Sequence, residues 1–134
     1  MNAQQFETAK RCKESAEDNS MTFPEIVGQL LQAGFERYAV DFCKGTTTYY
    51  LPDGESLTFE SAPETTVIPS TFDISAIKAA IAEAQSNAPG YTYKGFKTKV
   101  MSAGCVGYVV SFIGQRAVYS GRTAETHIEH FPQH

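Results

Sequence analysis

The side chains with the clearest capacity for chemistry lie at the end of the chain, where all three histidines fall within the last eight residues. In a strand, His127 and Glu129 would point to one face and His130 to the other. A histidine beside a carboxylate can act as a general base that the carboxylate orients. A metal ion needs ligands that converge on one point, and this alternation separates the histidines, with His134 at the chain end. We therefore expect no metal site.

The sequence offers no nucleophile to accompany His127 and Glu129. It contains no G-x-S-x-G, H-E-x-x-H, P-loop or G-x-G-x-x-G motif. Cys105 begins a predicted strand directly after a helix stop, so we expect a core thiol rather than a reactive thiolate. We therefore predict no catalytic residues and no cofactor, and we favour a non-enzymatic function. A small enzyme that uses His127 and Glu129 in a cleft is the alternative.

Tyrosines form the second candidate group, because two pairs of them recur at equivalent positions in the two halves of the chain. Tyr38 corresponds to Tyr108, and Tyr49 corresponds to Tyr119. Their rings would give a cleft between the halves apolar walls, and their hydroxyls would supply polar tips. Ordinary cross-strand packing, with the hydroxyls at solvent, is the simpler explanation. The predicted ligand-binding residues are Tyr49, Tyr119, Tyr38, Tyr108, His127 and Glu129.

The elements that must position these residues form an internal repeat. Residues 22–42 align with residues 92–112 at a constant offset of 70. Average composition predicts about one or two identities by chance in a segment of this length. The identical pairs are Thr22/Thr92, Ala33/Ala103, Gly34/Gly104, Tyr38/Tyr108, Val40/Val110 and Phe42/Phe112. A repeat of this kind constrains the whole architecture.

The sequence of the first half predicts two helices followed by three strands. Thr22 is a good N-cap and Pro24 suits the first helical turn, while Gly34 is the expected left-handed stop. After Gly34 the apolar period changes to two, which is typical of strands. The predicted helices cover residues 3–18 and 23–33, and the predicted strands cover residues 37–42, 46–51 and 56–60.

The second half predicts the same order. Asp73 caps a third helix, and Pro89-Gly90 ends it. The first and third helices match in phase, which pairs Phe6 with Ile74 on their predicted buried faces. The predicted helices cover residues 74–88 and 92–103, and the predicted strands cover residues 106–113, 116–120 and 125–131.

These elements predict an α+β fold built from an internally duplicated ααβββ unit, with antiparallel meanders, four helices and a pseudo-two-fold relation. The meanders can join into one six-stranded sheet with the helices on one face, or they can face each other across the axis, and the sequence leaves both arrangements open. We expect a single domain over residues 1–134, because two separate cores would be marginal. Its parts are a first repeat at about 3–60, a linker at 61–72 and a second repeat at about 73–131.

Composition excludes several classes of function. The 134-residue chain has a formal net charge of −4, which argues against a general binder of nucleic acid or anionic membranes. Lys94, Lys97 and Lys99 form a local exception that we interpret as a solvated helix face. Nucleic-acid binding through these lysines and Arg116 is the least favoured function. No segment predicts a signal peptide or a membrane span, and three well-separated cysteines predict reduced thiols in a cytoplasm.

Several of these features occur together in a known family. They are Phe23-Pro24, Ala33-Gly34, Tyr38-x-Val40, Ala103-Gly104, Tyr108, Tyr119, His127, Glu129 and Pro132. The chain resembles a family of short, uncharacterised enterobacterial and prophage proteins often labelled "phage envelope protein". The resemblance rests on the order of these residues and covers nearly the whole chain. The resemblance implies a bacterial or prophage origin and no assigned activity.

The sequence therefore favours a binding or protein-interaction module. We expect its partner to be another protein or a small apolar molecule held near Tyr49 and Tyr119. We expect no binding to nucleic acid or membranes. Homodimerisation is a further expectation, because a meander leaves edge strands able to pair with a second chain.

Overall fold

The computed structural model describes residues 1–62 and 64–132. Its elements follow the order ααβββααβββ, which confirms the predicted α+β class. The helices are α1 (Ala3–Asp18), α2 (Phe23–Gln32), α3 (Ile74–Ser86) and α4 (Tyr93–Ser102). The strands are β1 (Arg37–Asp41), β2 (Thr46–Tyr50), β3 (Ser56–Glu60), β4 (Cys105–Ser111), β5 (Arg116–Gly121) and β6 (Thr126–His130).

The strands form one six-stranded antiparallel sheet in the order β3-β2-β1-β4-β5-β6. Of the two arrangements that the sequence leaves open, the structure has the single sheet. The two halves meet at the centre, where β1 pairs with β4 so that Tyr38 lies opposite Val110 and Val40 lies opposite Tyr108. This order is symmetric about the central pair, as a pseudo-two-fold relation requires. The origin of the halves by duplication stays a prediction.

The helix ends follow from local sequence. The Thr22 side chain caps α2 by accepting a hydrogen bond from the Glu25 backbone N–H, and Thr92 caps α4 in the same way. Gly34 and Gly104 follow these two helices with positive φ angles of 101° and 99°. A Cβ atom at Gly104 would lie 2.1 Å from the Thr71 carbonyl oxygen, so this turn requires glycine for space as well as for conformation.

One core forms between the helices and the inner face of the sheet, which carries the side chains of Tyr38, Val40, Tyr49, Tyr108, Val110 and Tyr119. The prediction that Phe6 and Ile74 are buried is wrong, because these residues are 40% and 41% exposed. The Phe6 ring lies beside Phe59 of β3, which is an edge strand, and among the described residues no strand lies beyond β3 to cover Phe6. Ile74 is the first residue of α3, so its side chain points back beyond the start of the helix.

The outer face of the sheet carries mostly hydroxyl and charged side chains. The apolar side chains Val109 and Ile128 also lie there, 39% and 46% exposed. Within the described part of the chain, no helix combines the length and the apolar character needed to cross a bilayer.

Candidate functional site

A cavity of about 120 Å³ lies between the inner face of the sheet and the helices. All four helices contribute to its walls, for example through Ala16 of α1, Phe23 of α2, Ala84 of α3 and Phe96 of α4. The strands on both sides of the central β1–β4 pair form the opposite wall. The cavity therefore belongs to both halves of the chain.

Aromatic side chains dominate the lining, which includes Phe23, Tyr38, Phe42, Tyr49, Tyr91, Tyr93, Phe96, Tyr108, Tyr119 and Phe131. The four tyrosines singled out from the sequence are all in this set. The rings of Tyr38 and Tyr49 lie 5.7 Å apart, and those of Tyr108 and Tyr119 lie 5.1 Å apart. The edge-to-face contact of Tyr38 with Tyr108, at 6.3 Å, joins the two pairs across the centre of the sheet.

The tyrosine hydroxyls differ in their hydrogen bonding. Tyr93 and Tyr108 share a hydrogen bond of 2.7 Å between their hydroxyl oxygens. The hydroxyls of Tyr38, Tyr49 and Tyr119 have no partner among the described residues. In that part of the chain, every fully buried side-chain oxygen or nitrogen has a hydrogen-bond partner. Since these three hydroxyls have none, they are not fully buried and reach accessible space. Because each of these residues is at most 7% exposed and lines the cavity, we assign that accessible space to the cavity.

The cavity keeps these phenols in their neutral form. Burial raises the pKa of Tyr38 and Tyr108 well above the ordinary value, and nearby tyrosines add to the effect. Burial also raises the pKa of Tyr49 and Tyr119. At neutral pH each hydroxyl is therefore available as a hydrogen-bond donor and acceptor, and none is a phenolate.

His127 and Glu129 lie on the inner face of the edge strand β6. A hydrogen bond of 2.8 Å joins Nε2 of His127 to Oε2 of Glu129. Their counterparts at the offset of 70 are the apolar Leu57 and Phe59 of the other edge strand, so only the second half carries a polar pair there. Glu129 lines the cavity, and His127 stands outside its lining. His130 is exposed on the outer face.

Paired charges surround the cavity. Lys13 forms an ion pair with Glu17 of the same helix. Lys97 of α4 forms an ion pair of 2.9 Å with Glu64 of the segment between β3 and α3, and its ammonium lies 5.4 Å from the centre of the Tyr93 ring. The side chain of Lys97 is only 13% exposed, so its interpretation as part of a solvated face is wrong. The same side chain serves both as a wall of the cavity and as an ion-pair partner.

Two buried thiols complete the chemical inventory. Cys12 lines the cavity, and burial raises the pKa of its thiol. Burial also raises the pKa of Cys105 to about 11, which keeps it protonated at neutral pH. Across residues 1–62 and 64–132, no three histidine, cysteine or acidic side chains converge to hold a metal ion. His134 lies outside the described residues.

A family of proteins of unknown function, DUF1398, matches residues 10–129. The chain belongs to the DUF1398 family. The matched segment includes every cavity-lining side chain named so far except Phe131, from Cys12 in α1 to Glu129 in β6. No curated protein matches the chain. The DUF1398 match thus covers the fold and the cavity, and it brings no activity with it.

Several lining residues of this DUF1398 chain were not among the predicted site residues. Phe23, Tyr93 and Phe96 lie on the apolar stripes of α2 and α4, which periodicity identifies only as buried faces. The available signal was the repeat itself, because Phe23 and Tyr93 occupy equivalent positions and differ only by a hydroxyl. That difference decides which tyrosine hydroxyls are bonded.

Proposed function

We propose that this DUF1398 protein is a non-enzymatic binding module that holds a small apolar molecule in the cavity between its helices and its sheet. The observation that carries the proposal is the cavity itself, lined by aromatic side chains from both halves of the chain. Binding pockets for small molecules are mostly apolar and contain a few convergent polar groups, which here are tyrosine hydroxyls. Tyr38, Tyr49, Tyr108, Tyr119 and Glu129 are the proposed contact residues.

The chemistry of the lining supports binding rather than catalysis. A nucleophile needs a depressed pKa or an adjacent base, whereas burial raises the pKa of the lining tyrosines and of Cys12. His127 is engaged with Glu129. The alternative is a small enzyme in which His127 acts as the base, and it predicts that His127→Gln abolishes turnover while ligand affinity is retained.

The cellular setting is part of the same proposal. Cys43 is an exposed free thiol, which fits a reducing compartment such as the cytoplasm. A bacterial or prophage origin follows only from the resemblance, and a single folded domain over residues 1–134 is proposed from the shared core.

The proposal is tested by filling the cavity. Ala84 lines it from α3, whereas Ala82 lies two residues earlier on the exposed side of the same helix. Isothermal titration with toluene as the probe should show saturable binding to the wild-type chain and to Ala82→Leu. Ala84→Leu should lose that binding, because the added methyl groups occupy the ligand's volume.

Two further observations decide the location and the class of partner. Replacing Tyr49 and Tyr119 together by alanine should also abolish toluene binding, provided that the variant keeps its circular dichroism spectrum. Equal toluene affinity in Ala84→Leu and Ala82→Leu would refute the cavity as the site. Absence of toluene binding to the wild-type chain would remove the small-molecule function and leave a protein partner as the remaining interpretation.

Self-association is a second candidate, and the outer face of the sheet supports it. Ala39, Val109, Val118 and Ile128 lie opposite one another in register and form an apolar row across four strands. On β1, Arg37 and Asp41 flank this row two residues away on either side. A two-fold axis along the row would place Arg37 of each copy over Asp41 of the other, so the face is self-complementary in charge.

This candidate places the second copy on the sheet face rather than at an edge strand. Sedimentation equilibrium across a wide concentration range should show a reversible dimer of the wild-type chain. Val109→Arg should shift the equilibrium to monomer, whereas Leu31→Arg, at a 51% exposed position on α2, should leave it unchanged. A monomer at every concentration would exclude the candidate.

A further inference from the structure

We infer that the molecule held in the cavity is a neutral aromatic compound of one ring that carries a hydroxyl or carbonyl group. This inference rests on the proposed binding function and names the chemistry of its ligand. Three features of the cavity carry it: its volume, the unbonded hydroxyls on its wall, and the ion pairs that hold both lysines of its lining.

The volume suits a ligand with a single ring. The cavity of about 120 Å³ is slightly smaller than the apolar cavity of ~150 Å³ that accommodates benzene. The surrounding rings favour an aromatic ligand, since aromatic pairs gain stabilisation in offset and edge-to-face contacts. Phe96 and Tyr93 illustrate this packing within the wall, stacked with their ring centres 6.0 Å apart.

The unbonded hydroxyls require a polar group on the ligand. Tyr38, Tyr49 and Tyr119 present hydroxyls to the cavity without a partner among the described residues. A purely apolar ligand would displace water from these hydroxyls and leave them unpaired, which is costly in a buried site. A ligand with a hydroxyl or a carbonyl oxygen would restore the hydrogen bonds.

The sequence difference between the halves places this polar group beside the first half. In the second half, the Tyr108 hydroxyl is already bonded to Tyr93. The equivalent of Tyr93 in the first half is Phe23, which has no hydroxyl to offer Tyr38. We therefore place the ligand's oxygen near Tyr38 and Tyr49, where it would form a hydrogen bond to Tyr38 as Tyr93 does to Tyr108.

The charged side chains of the lining disfavour an anionic ligand. Lys13 is paired with Glu17, and Lys97 is paired with Glu64. Glu129 is bonded to His127, and Asp41 accepts hydrogen bonds from the backbone N–H groups of Cys43 and Lys44. An anion entering the cavity would have to take Lys13 or Lys97 from its carboxylate partner or remain uncompensated, whereas a neutral ligand needs only the free hydroxyls.

The test compares phenol with toluene and benzoate by isothermal titration of the full chain. Phenol and toluene have the same ring and the same number of non-hydrogen atoms, so the comparison of these two isolates the polar group, while benzoate adds a negative charge on a larger substituent. A cavity without free hydrogen-bonding groups favours toluene, because phenol loses its bonds to water on entry. We expect phenol to bind about 3- to 10-fold more tightly than toluene, as one additional neutral hydrogen bond provides, and benzoate to bind more weakly than both.

Single-atom variants assign the effect to the hydroxyls. Tyr38→Phe and Tyr49→Phe combined should remove the preference for phenol and leave toluene affinity unchanged or improved. Tyr50→Phe is the matched control, because Tyr50 follows Tyr49 on β2 and points to the outer face under Arg37. It should bind both probes as the wild-type chain does.

The outcomes separate this inference from the proposed function. Toluene binding that is as tight as or tighter than phenol binding would overturn the neutral polar ligand and leave the apolar cavity function intact. Tightest binding of benzoate would overturn the neutral charge state. No binding of either neutral probe would overturn both, and a phenol preference that persists in Tyr38→Phe/Tyr49→Phe would refute the assignment to these hydroxyls.

Discussion

Removing a single hydroxyl should destabilise the protein at one of two equivalent tyrosines and have little effect at the other. Tyr38 and Tyr108 occupy matching positions on the central strands, and both are buried. The Tyr108 hydroxyl is bonded to Tyr93 at 2.7 Å, whereas the Tyr38 hydroxyl has no partner among the described residues. We therefore predict that Tyr108→Phe is destabilising and that Tyr38→Phe is close to neutral.

The magnitude follows from the hydrogen bond. A neutral buried hydrogen bond contributes about 0.5–1.5 kcal/mol to folding, and its loss leaves Tyr93 without its partner. Tyr108→Phe should thus lower the free energy of unfolding by about 1 kcal/mol. For a chain of this size, that change lowers Tm by about 3–5 °C. Tyr38→Phe should change the free energy of unfolding by less than ~0.5 kcal/mol, because it deletes a hydroxyl without a protein partner.

Urea denaturation followed by circular dichroism measures both variants under the same conditions. The double variant Tyr93→Phe/Tyr108→Phe is the control, since it removes both hydroxyls and should be less destabilised than the sum of its single variants. Equal destabilisation by Tyr38→Phe and Tyr108→Phe would refute the argument, because it would mean that the Tyr38 hydroxyl has a partner within the protein.

Two other predictions concern stability. Gly104→Ala should lower the free energy of unfolding by at least ~2 kcal/mol in urea titrations, because it adds a clash with Thr71 to an unfavourable positive φ. Gly54→Ala, with a similar φ and open space around it, should cost only about 1 kcal/mol, and an equal loss at both sites would contradict the role of the close approach. At high pH, the buried tyrosines keep a raised pKa while unfolded tyrosines ionise near 10. Their contribution to stability is therefore complete below about pH 10 and is lost as the pH rises toward the folded pKa, and a stability profile that stays flat from pH 9 to 12 would contradict it.

Much of the fold was predictable from local chemistry. Thr22, Gly34 and Gly104 define helix ends through capping and positive φ, and these requirements act over a few residues. The period-two alternation around Tyr38 and Val40 identified the strands for the same reason. The choice between one sheet and two facing sheets was not determined by alternation, because each arrangement buries the same side of every strand. It depends on backbone pairing between β1 and β4, which carries no sequence signature of its own.

The residues of the candidate site were also only partly predictable from the sequence. The repeat singled out Tyr38 and Tyr108, and the structure brings them together at the cavity, while their role in binding stays a prediction. The partly buried position of Lys97 was missed, because charge alone predicts exposure and its partner Glu64 lies in a segment without periodicity. The exposure of Phe6 was missed because helical phase identifies a face and not how far the sheet extends beneath it.

The most direct measurement of the central claim is a phenol titration monitored by nuclear magnetic resonance on protein with isotope-labelled tyrosine rings. We predict saturable shifts with a single Kd for the ring signals of Tyr38, Tyr49 and Tyr119, while the signal of Tyr50 on the outer face stays unchanged. Shifts confined to Tyr50, or no saturable shift at the three cavity tyrosines, would contradict the claim that this cavity binds a small aromatic molecule.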